Sequence, residues 1–246
     1  MEKKVGIKKP VVDYRQLRFS NITSKEFRHL LWLIFWPVFG LVFYYVELGF
    51  PVDYYKPMHC KLDDLIPFCE WFFIPYVFWF FYIIGMHFYT AFYDTDTFSR
   101  MIKYTCITYT SALVIYFIFP TCQYLRPIIF PRDNLLTQMI AKFYTMDTNT
   151  NVCPSIHVMG ALAIMEAALY TKSIKSKAIK WAFVIVAILI CFSTVFMKQH
   201  SILDMFAALP ICLVAHFICY GKPILFKSKK AALVSMSCEE NLSSNQ

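Results

Sequence analysis

Glycine is scarce in this chain, with six in 246 residues, and charged side chains make up only 16% of it. Soluble domains carry about a quarter charged residues. A protein so poor in charge cannot clothe an ordinary globular surface, and it is not a disordered chain either. Too few glycines are present for a transporter built on broken, Gly/Pro-rich central helices. No GxGxxG, Walker loop, HExxH or GxSxG string occurs, which removes the common nucleotide, zinc-protease and serine-hydrolase signatures. The nine cysteines include no metal-type CxxC pair. No metal and no cofactor are expected.

What is abundant is apolar: 58% of residues are hydrophobic and 19% aromatic. They are gathered into runs rather than spread. Leu30–Phe50, Trp71–Tyr93, Tyr104–Leu125, Val152–Thr171, Trp181–Met197 and Met205–Gly221 are almost free of charge. A bilayer core takes about 20 helical residues, and a membrane barrel would alternate instead. The fold expected is all-α, a polytopic membrane protein with six transmembrane helices. Residues 1–27 read as a basic tail, 28–226 as the membrane domain and 227–246 as a disordered tail. The leader and its apolar run are too long for a cleaved signal.

The net charge of +8 then becomes an address. With the N-terminus inside, three-quarters of the 24 Lys and Arg fall on the inner side, as the positive-inside rule requires. Both termini are expected to be cytoplasmic. The basic excess is read as attraction to anionic inner-leaflet lipid, not to nucleic acid. Cys60, Cys69, Cys122 and Cys153 fall on or near the outer face, where Cys122–Cys153 and Cys60–Cys69 disulfides are both open. The sequons at Asn21 and Asn241 fall inside, and the outer loops offer none, which points to a bacterial cytoplasmic membrane.

Polar residues at membrane depth are costly and so are candidates for function. The predicted topology gathers three clusters on the outer face: Arg126-Pro127, Cys153-Pro154-Ser155-Ile156-His157 and Lys198-Gln199-His200 with Asp204. His200 and Asp204 are four apart at a helix mouth, hence on one face. The carboxylate can fix the imidazole's tautomer and leave the second nitrogen as a nucleophile; the plainer alternative is a pair that satisfies a helix end. Pro154 suits the start of a helix. That places Ser155 where free N–H groups bind anions, phosphate above all; the alternative is a helix start with an incidental His157. Arg126 and Lys198 are cations able to hold phosphate, or interfacial anchors. Asp147 and Asn151 read as support, ordering their loop or touching a head group. Glu166 sits deeper, to pair with another helix or line a cavity. His87 and His216 read as interfacial, and the aromatic run Trp71–Tyr82 as lipid-facing belt and core packing.

Arg126-Pro127, Pro154-Ser155-x-His157 and His200-x-x-x-Asp204 resemble, in order and spacing, the three signature motifs of the type 2 phosphatidic acid phosphatase superfamily. The resemblance covers roughly residues 65–220. The longer string from Asp147 and Asn151 to His157, with Lys198-Gln199-His200, is more similar to the inositol phosphorylceramide synthase branch. The resemblance implies a metal-independent lipid phosphatase or phosphotransferase. In that chemistry His200 becomes a phosphohistidine, Asp204 orients it and His157 protonates the leaving alkoxide. Arg126, Ser155 and Lys198 would hold phosphoryl oxygens.

The sequence departs from the superfamily pattern at three places. Phe119 stands where the superfamily has a lysine seven residues before Arg126, Ile156 replaces a glycine, and Ser193-Thr194 replaces Ser-Arg. Two phosphate-binding cations of the phosphatase branch are thus missing, one of which Lys198 could replace; this counts against plain phosphatidate hydrolysis and leaves head-group transfer between lipids as the alternative. The expected partners are a phosphorylated membrane lipid and the bilayer, while substrate and oligomeric state stay open. The readings of another class are a small transporter and an inactive lipid-binding relative.

Overall fold

The computed structural model describes residues 9–221, so the expectation for 227–246 lies outside the described residues. The chain is mostly helical. Helix α1 (Phe35–Tyr44) is extended by 3-10 and π turns into one stretch, Arg28–Gly49. Then come α2 (Lys61–Leu65), α3 (Phe73–Tyr93, entered by a 3-10 turn at Glu70–Phe72), α4 (Thr95–Ile118) and α5 (Leu135–Met146). The last three are α6 (Ile156–Tyr170), α7 (Lys177–Phe196) and α8 (Ile202–Tyr220). Two short strands, β1 (Lys56–Pro57) and β2 (Thr121–Cys122), pair in parallel.

Among the described residues, five helical stretches are long and apolar enough to cross a bilayer: Arg28–Gly49, Glu70–Tyr93, Thr95–Ile118, Lys177–Phe196 and Ile202–Tyr220. This is the make-up of a multi-pass membrane protein. Their large apolar side chains lie largely exposed, as Ile185, Ile188 and Leu189 do on α7 and Leu213, Val214 and Ile218 on α8. Apolar surface on that scale is a face for lipid rather than for water.

The sixth apolar run behaves differently from the expectation. Helix α6 has only 15 residues, about 22 Å at 1.5 Å per residue. Residues 152–155 are spent on a loop that holds a cis Cys153–Pro154 bond. Small residues let α6 sit at the centre of the bundle: Gly160, Ala161, Ala163, Ala167 and Ala168 are all buried. At Gly160 a Cβ would come within 2.5 Å of the Tyr109 hydroxyl and 2.9 Å of Trp79 Nε1. Only glycine allows α3 and α4 to approach α6 so closely.

Other boundaries also shift. Helix α4 starts at Thr95, not Tyr104, because Arg100 and Lys103 stay exposed on its surface and need not end it. Asp94 caps it, accepting from Thr97 N at 3.0 Å, and leaves a one-residue turn after α3. The helix stops at Ile118, where Pro120 has no N–H to continue it. Helix α5 lies inside what reads from sequence as a plain loop. The eight described cysteines are all free, so neither open disulfide is present.

The two ends of the bundle differ. One end gathers residues 9–27, the α3–α4 turn and the α6–α7 turn. There Val11 N donates to Phe92 O at 2.8 Å, Tyr14 Oη to Ala91 O at 2.7 Å and Thr171 Oγ1 to Asp94 at 2.6 Å. The basic stretch is therefore docked, with Val12 and Phe27 buried, rather than lying free. The other end gathers residues 50–69, 119–155 and 197–201 around the β1–β2 pair.

Candidate active site

The candidate catalytic and phosphate-binding residues, His157, His200, Asp204, Arg126, Ser155 and Lys198, with Asp147 and Asn151, lie at this second end. The loop before α6 is cross-braced from below and beside. Asn151 N donates to Thr121 O at 2.5 Å, Cys153 N to Thr121 Oγ1 at 3.1 Å and the Tyr116 hydroxyl to Pro154 O at 2.6 Å. Ser155 N donates to Asp204 O at 3.1 Å, which ties the start of α6 to the start of α8.

The corner between α7 and α8 presents His200. The backbone N–H groups of Gln199 and His200 both donate to Thr194 O at 3.0 Å. His200 Nδ1 faces Val152 O at 3.0 Å and Asp204 Oδ2 at 3.2 Å. Both partners only accept, so Nδ1 carries the hydrogen and Nε2 keeps its lone pair. The imidazole is thus held in the tautomer a nitrogen nucleophile needs. Asp204 Oδ2 also accepts from Ser201 N at 3.0 Å.

The His157 ring lies 5.8 Å from that of His200, centroid to centroid. Tyr76 stacks on it at 4.5 Å and Trp79 packs on it at 4.4 Å. These two aromatics escape the sequence reading as site residues because their run reads only as lipid-facing belt and core packing. Helical spacing of three turns both to one face of α3, and that face meets α6.

The cations are placed nearby and are engaged by the chain itself. Arg126 Nε donates to Gln199 Oε1 at 2.8 Å. Its other nitrogens donate to the carbonyls of Tyr144 at 3.1 Å, Asp147 at 3.0 Å and Thr148 at 2.7 Å. The guanidinium also lies 4.7 Å over the Tyr144 ring and 3.7 Å from the Asp147 carboxylate. Tyr144 in turn donates to Met197 O, and Gln199 Nε2 to Asp147 Oδ2 at 2.8 Å. Burial raises the pKa of Asp147, opposed by the Arg126 charge. Burial lowers that of Arg126, opposed by Asp147.

Lys198 Nζ donates to the main-chain oxygen of Asp63 at 2.6 Å. Burial pulls its pKa down, and the charges of Asp63 and Asp64 oppose that. Phe119, at the missing lysine's position, carries the Lys56 ammonium 4.2 Å from its ring centroid.

Two non-glycine residues flank the site in the left-handed region, Asn151 at φ 50° and Lys198 at φ 54°. Asparagine tolerates that region, whereas lysine is strained by about 1 kcal/mol or more. Such strain gathers at functional sites.

Unpartnered polar groups concentrate here. Glu47 Oε1, Gln123 Nε2, both amide atoms of Asn151, Ser155 Oγ, His157 Nδ1 and Asp204 Oδ1 are buried without a hydrogen-bond partner. The rest of Glu47 braces the loop, its Oε2 accepting from Thr148 at 2.5 Å and Thr150 at 2.9 Å. Buried polar atoms are nearly always bonded in a finished fold, and these seven lie together around the starts of α6 and α8.

The remaining polar candidates lie elsewhere. Glu166 pairs with His216, whose Nδ1 is 3.1 Å from its carboxylate. His87 takes the Trp36 indole N–H at 3.3 Å and faces Ile83 O at 2.8 Å. Both histidines are buried within the bundle, each shielded by neighbouring helices that a one-dimensional reading cannot see. Among the described residues no group of three or more His, Cys, Asp or Glu could hold a metal ion. No protein-family model, no curated protein and no solved structure matches this chain.

Proposed function

We propose that this chain is an integral membrane lipid-phosphate phosphatase or phosphotransferase of the type 2 phosphatidic acid phosphatase kind, working at the extracytoplasmic face through phosphohistidine. The observation that carries the reading is His200: its Nδ1 is committed to two acceptors, and its ring sits beside that of a second histidine. Ser155, with an unpartnered hydroxyl at an uncapped helix start, supports an anion as the ligand.

In this reading α6 counts as the sixth span, both termini face the cytoplasm, and the end bearing His200 faces outside. The charge bias supports that orientation. The protein belongs in the cell membrane.

The chemistry runs in two steps. His200 Nε2 attacks phosphorus, the bond to the lipid oxygen breaks, and His157 gives its proton to the departing alkoxide. Then water, or the hydroxyl of a second lipid, attacks the phosphohistidine and His157 takes the proton from that oxygen. Charge grows on the phosphoryl oxygens in both steps. Arg126 and Lys198 would stabilise it after exchanging neutral carbonyl partners for the anion.

The acceptor decides between hydrolysis and transfer. The residues that depart from the phosphatase pattern favour transfer of a phosphorylated head group: Ser193 and Thr194 are buried and donate to the carbonyls of Ile190 and Cys191, and they supply no charge.

The test offers purified protein a labelled lipid phosphate in detergent, with chelator, with and without a lipid alcohol. Release of phosphate or formation of a new phospholipid, lost in both His200→Ala and His157→Ala, is the result expected. Undiminished turnover in His200→Ala would remove the proposed nucleophile.

A further inference from the structure

One carboxylate near the site has no place in the scheme above. Asp63 lies on α2, a five-residue helix in the first outer loop, and its neighbours Lys61, Leu62, Asp64 and Leu65 are all exposed. Asp63 itself is 1% exposed. An ionised carboxylate buried in a loop needs a reason, because desolvation penalises it.

Its bonds give that reason. Asp63 Oδ2 accepts from the Ser201 hydroxyl at 2.6 Å and from Cys60 N at 2.8 Å. Asp63 Oδ1 accepts from Ile202 N at 2.8 Å. The main-chain oxygen of the same residue takes Lys198 Nζ. Three of these four donors belong to the corner that carries His200, on both sides of it. With its hydroxyl hydrogen given to Asp63, Ser201 Oγ turns a lone pair to Leu203 N at 3.2 Å. A loop about 140 residues away in sequence thus clamps the nucleophile's corner.

We propose that Asp63 is a positioning residue for His200, acting through its carboxylate bonds to Ser201 and Ile202 to hold the imidazole in its attacking pose. The proposal rests on the phosphohistidine reading, but part of its test does not. Purified full-length protein is compared with Asp63→Ala, Asp63→Asn, Ser201→Ala, the Asp63→Ala/Ser201→Ala double variant and Asp64→Asn. Asp64 is exposed and bonds only His59, so Asp64→Asn serves as control.

The first readout needs no substrate: the rate at which diethyl pyrocarbonate modifies His200, followed by mass spectrometry. It should change about threefold or more in Asp63→Ala, with folded protein normalised by thermal melting, and stay at the wild-type value in Asp64→Asn. The second readout is kinetic. Asp63→Ala should lower kcat by about tenfold or more with KM nearly constant, and the double variant should lose less than the product of the single losses. If Asp63→Ala does not fold, Asp63→Asn keeps the shape, loses the charge and carries the same comparisons.

Wild-type kcat and wild-type His200 reactivity in the folded variant overturn the proposal. So does a loss explained wholly by less folded protein. A wild-type protein inactive on every lipid phosphate would sink the phosphohistidine reading alone, since the His200 modification rates would still decide the role of Asp63.

Discussion

Two helices open at the same end of the bundle, and their mouths are finished in opposite ways. At α8, Ser201 caps Leu203 N, Asp204 accepts from Ser201 N and Asp63 accepts from Ile202 N. Three consecutive backbone donors are consumed by the protein's own side chains. At α6, Ser155 makes no side-chain bond to the first turn, and its hydroxyl is buried without a partner. A helix start carries about half a unit of positive charge. Helix α8 spends that charge internally, whereas Ser155 leaves the start of α6 without a side-chain cap. On the proposed reading, the first mouth would present the nucleophile and the second would receive the anion.

The contrast can be broken at several points, and the largest effect is expected at the α8 mouth. His200→Ala should drop lipid-phosphate turnover by about 10⁴-fold or more, to background, as loss of a nucleophile does. His157→Ala should cost about 10²–10⁴-fold, the usual worth of a general acid, and a substrate with a good leaving group should recover much of it. Equal loss for good and poor leaving groups would deny His157 the acid role.

The two serines sharpen the comparison most directly. Ser201→Ala removes a cap and a donor to a buried carboxylate, so it should destabilise the protein by about 1–3 kcal/mol, read as a lower melting temperature in detergent. Ser155→Ala removes a hydroxyl that bonds nothing, so melting should stay nearly constant while KM for the lipid phosphate rises about threefold to tenfold. Reversal of that pattern would mean the two mouths are not divided as described.

The smallest effect is one of pH. Burial pushes the pKa of Asp63 up, but the bonds from Ser201, Ile202 and Cys60 outweigh it and leave the carboxyl below its usual 3.8. A folded-state pKa lower than the unfolded one stabilises above 3.8, and the gain is lost as pH falls through the depressed folded value. Acid melting curves of Asp63→Asn should lack that component. An identical acid dependence in both proteins would show that Asp63 is not held as a bonded carboxylate.

Much of the architecture was readable from hydropathy, because a lipid-facing helix must be apolar over about 20 residues. Hydropathy failed where tertiary contacts intervene. It split α4 at Arg100 and Lys103, whose long stems carry their charge clear of the helix. It started α6 at Val152 rather than Ile156, because the loop 152–155 is as apolar as a helix although its hydrogen bonds go sideways to Thr121 and Tyr116. His157, His200 and Asp204 were legible because polarity stands out against an apolar chain. Tyr76 and Trp79 were not, being aromatic among aromatics, and Asp63 was not, because acidic residues in loops are ordinary. Its distinction is burial, a three-dimensional property.

One consequence follows from the shortness of α6. Its His157 sits level with Tyr76 and Trp79 on α3, about a turn or more inside the point where α3 begins. On the proposed reading, a phosphate reacting beside His157 would sit below the start of α3, so the loops at that end of the bundle would govern how readily water reaches it and would help set the balance between hydrolysis and transfer.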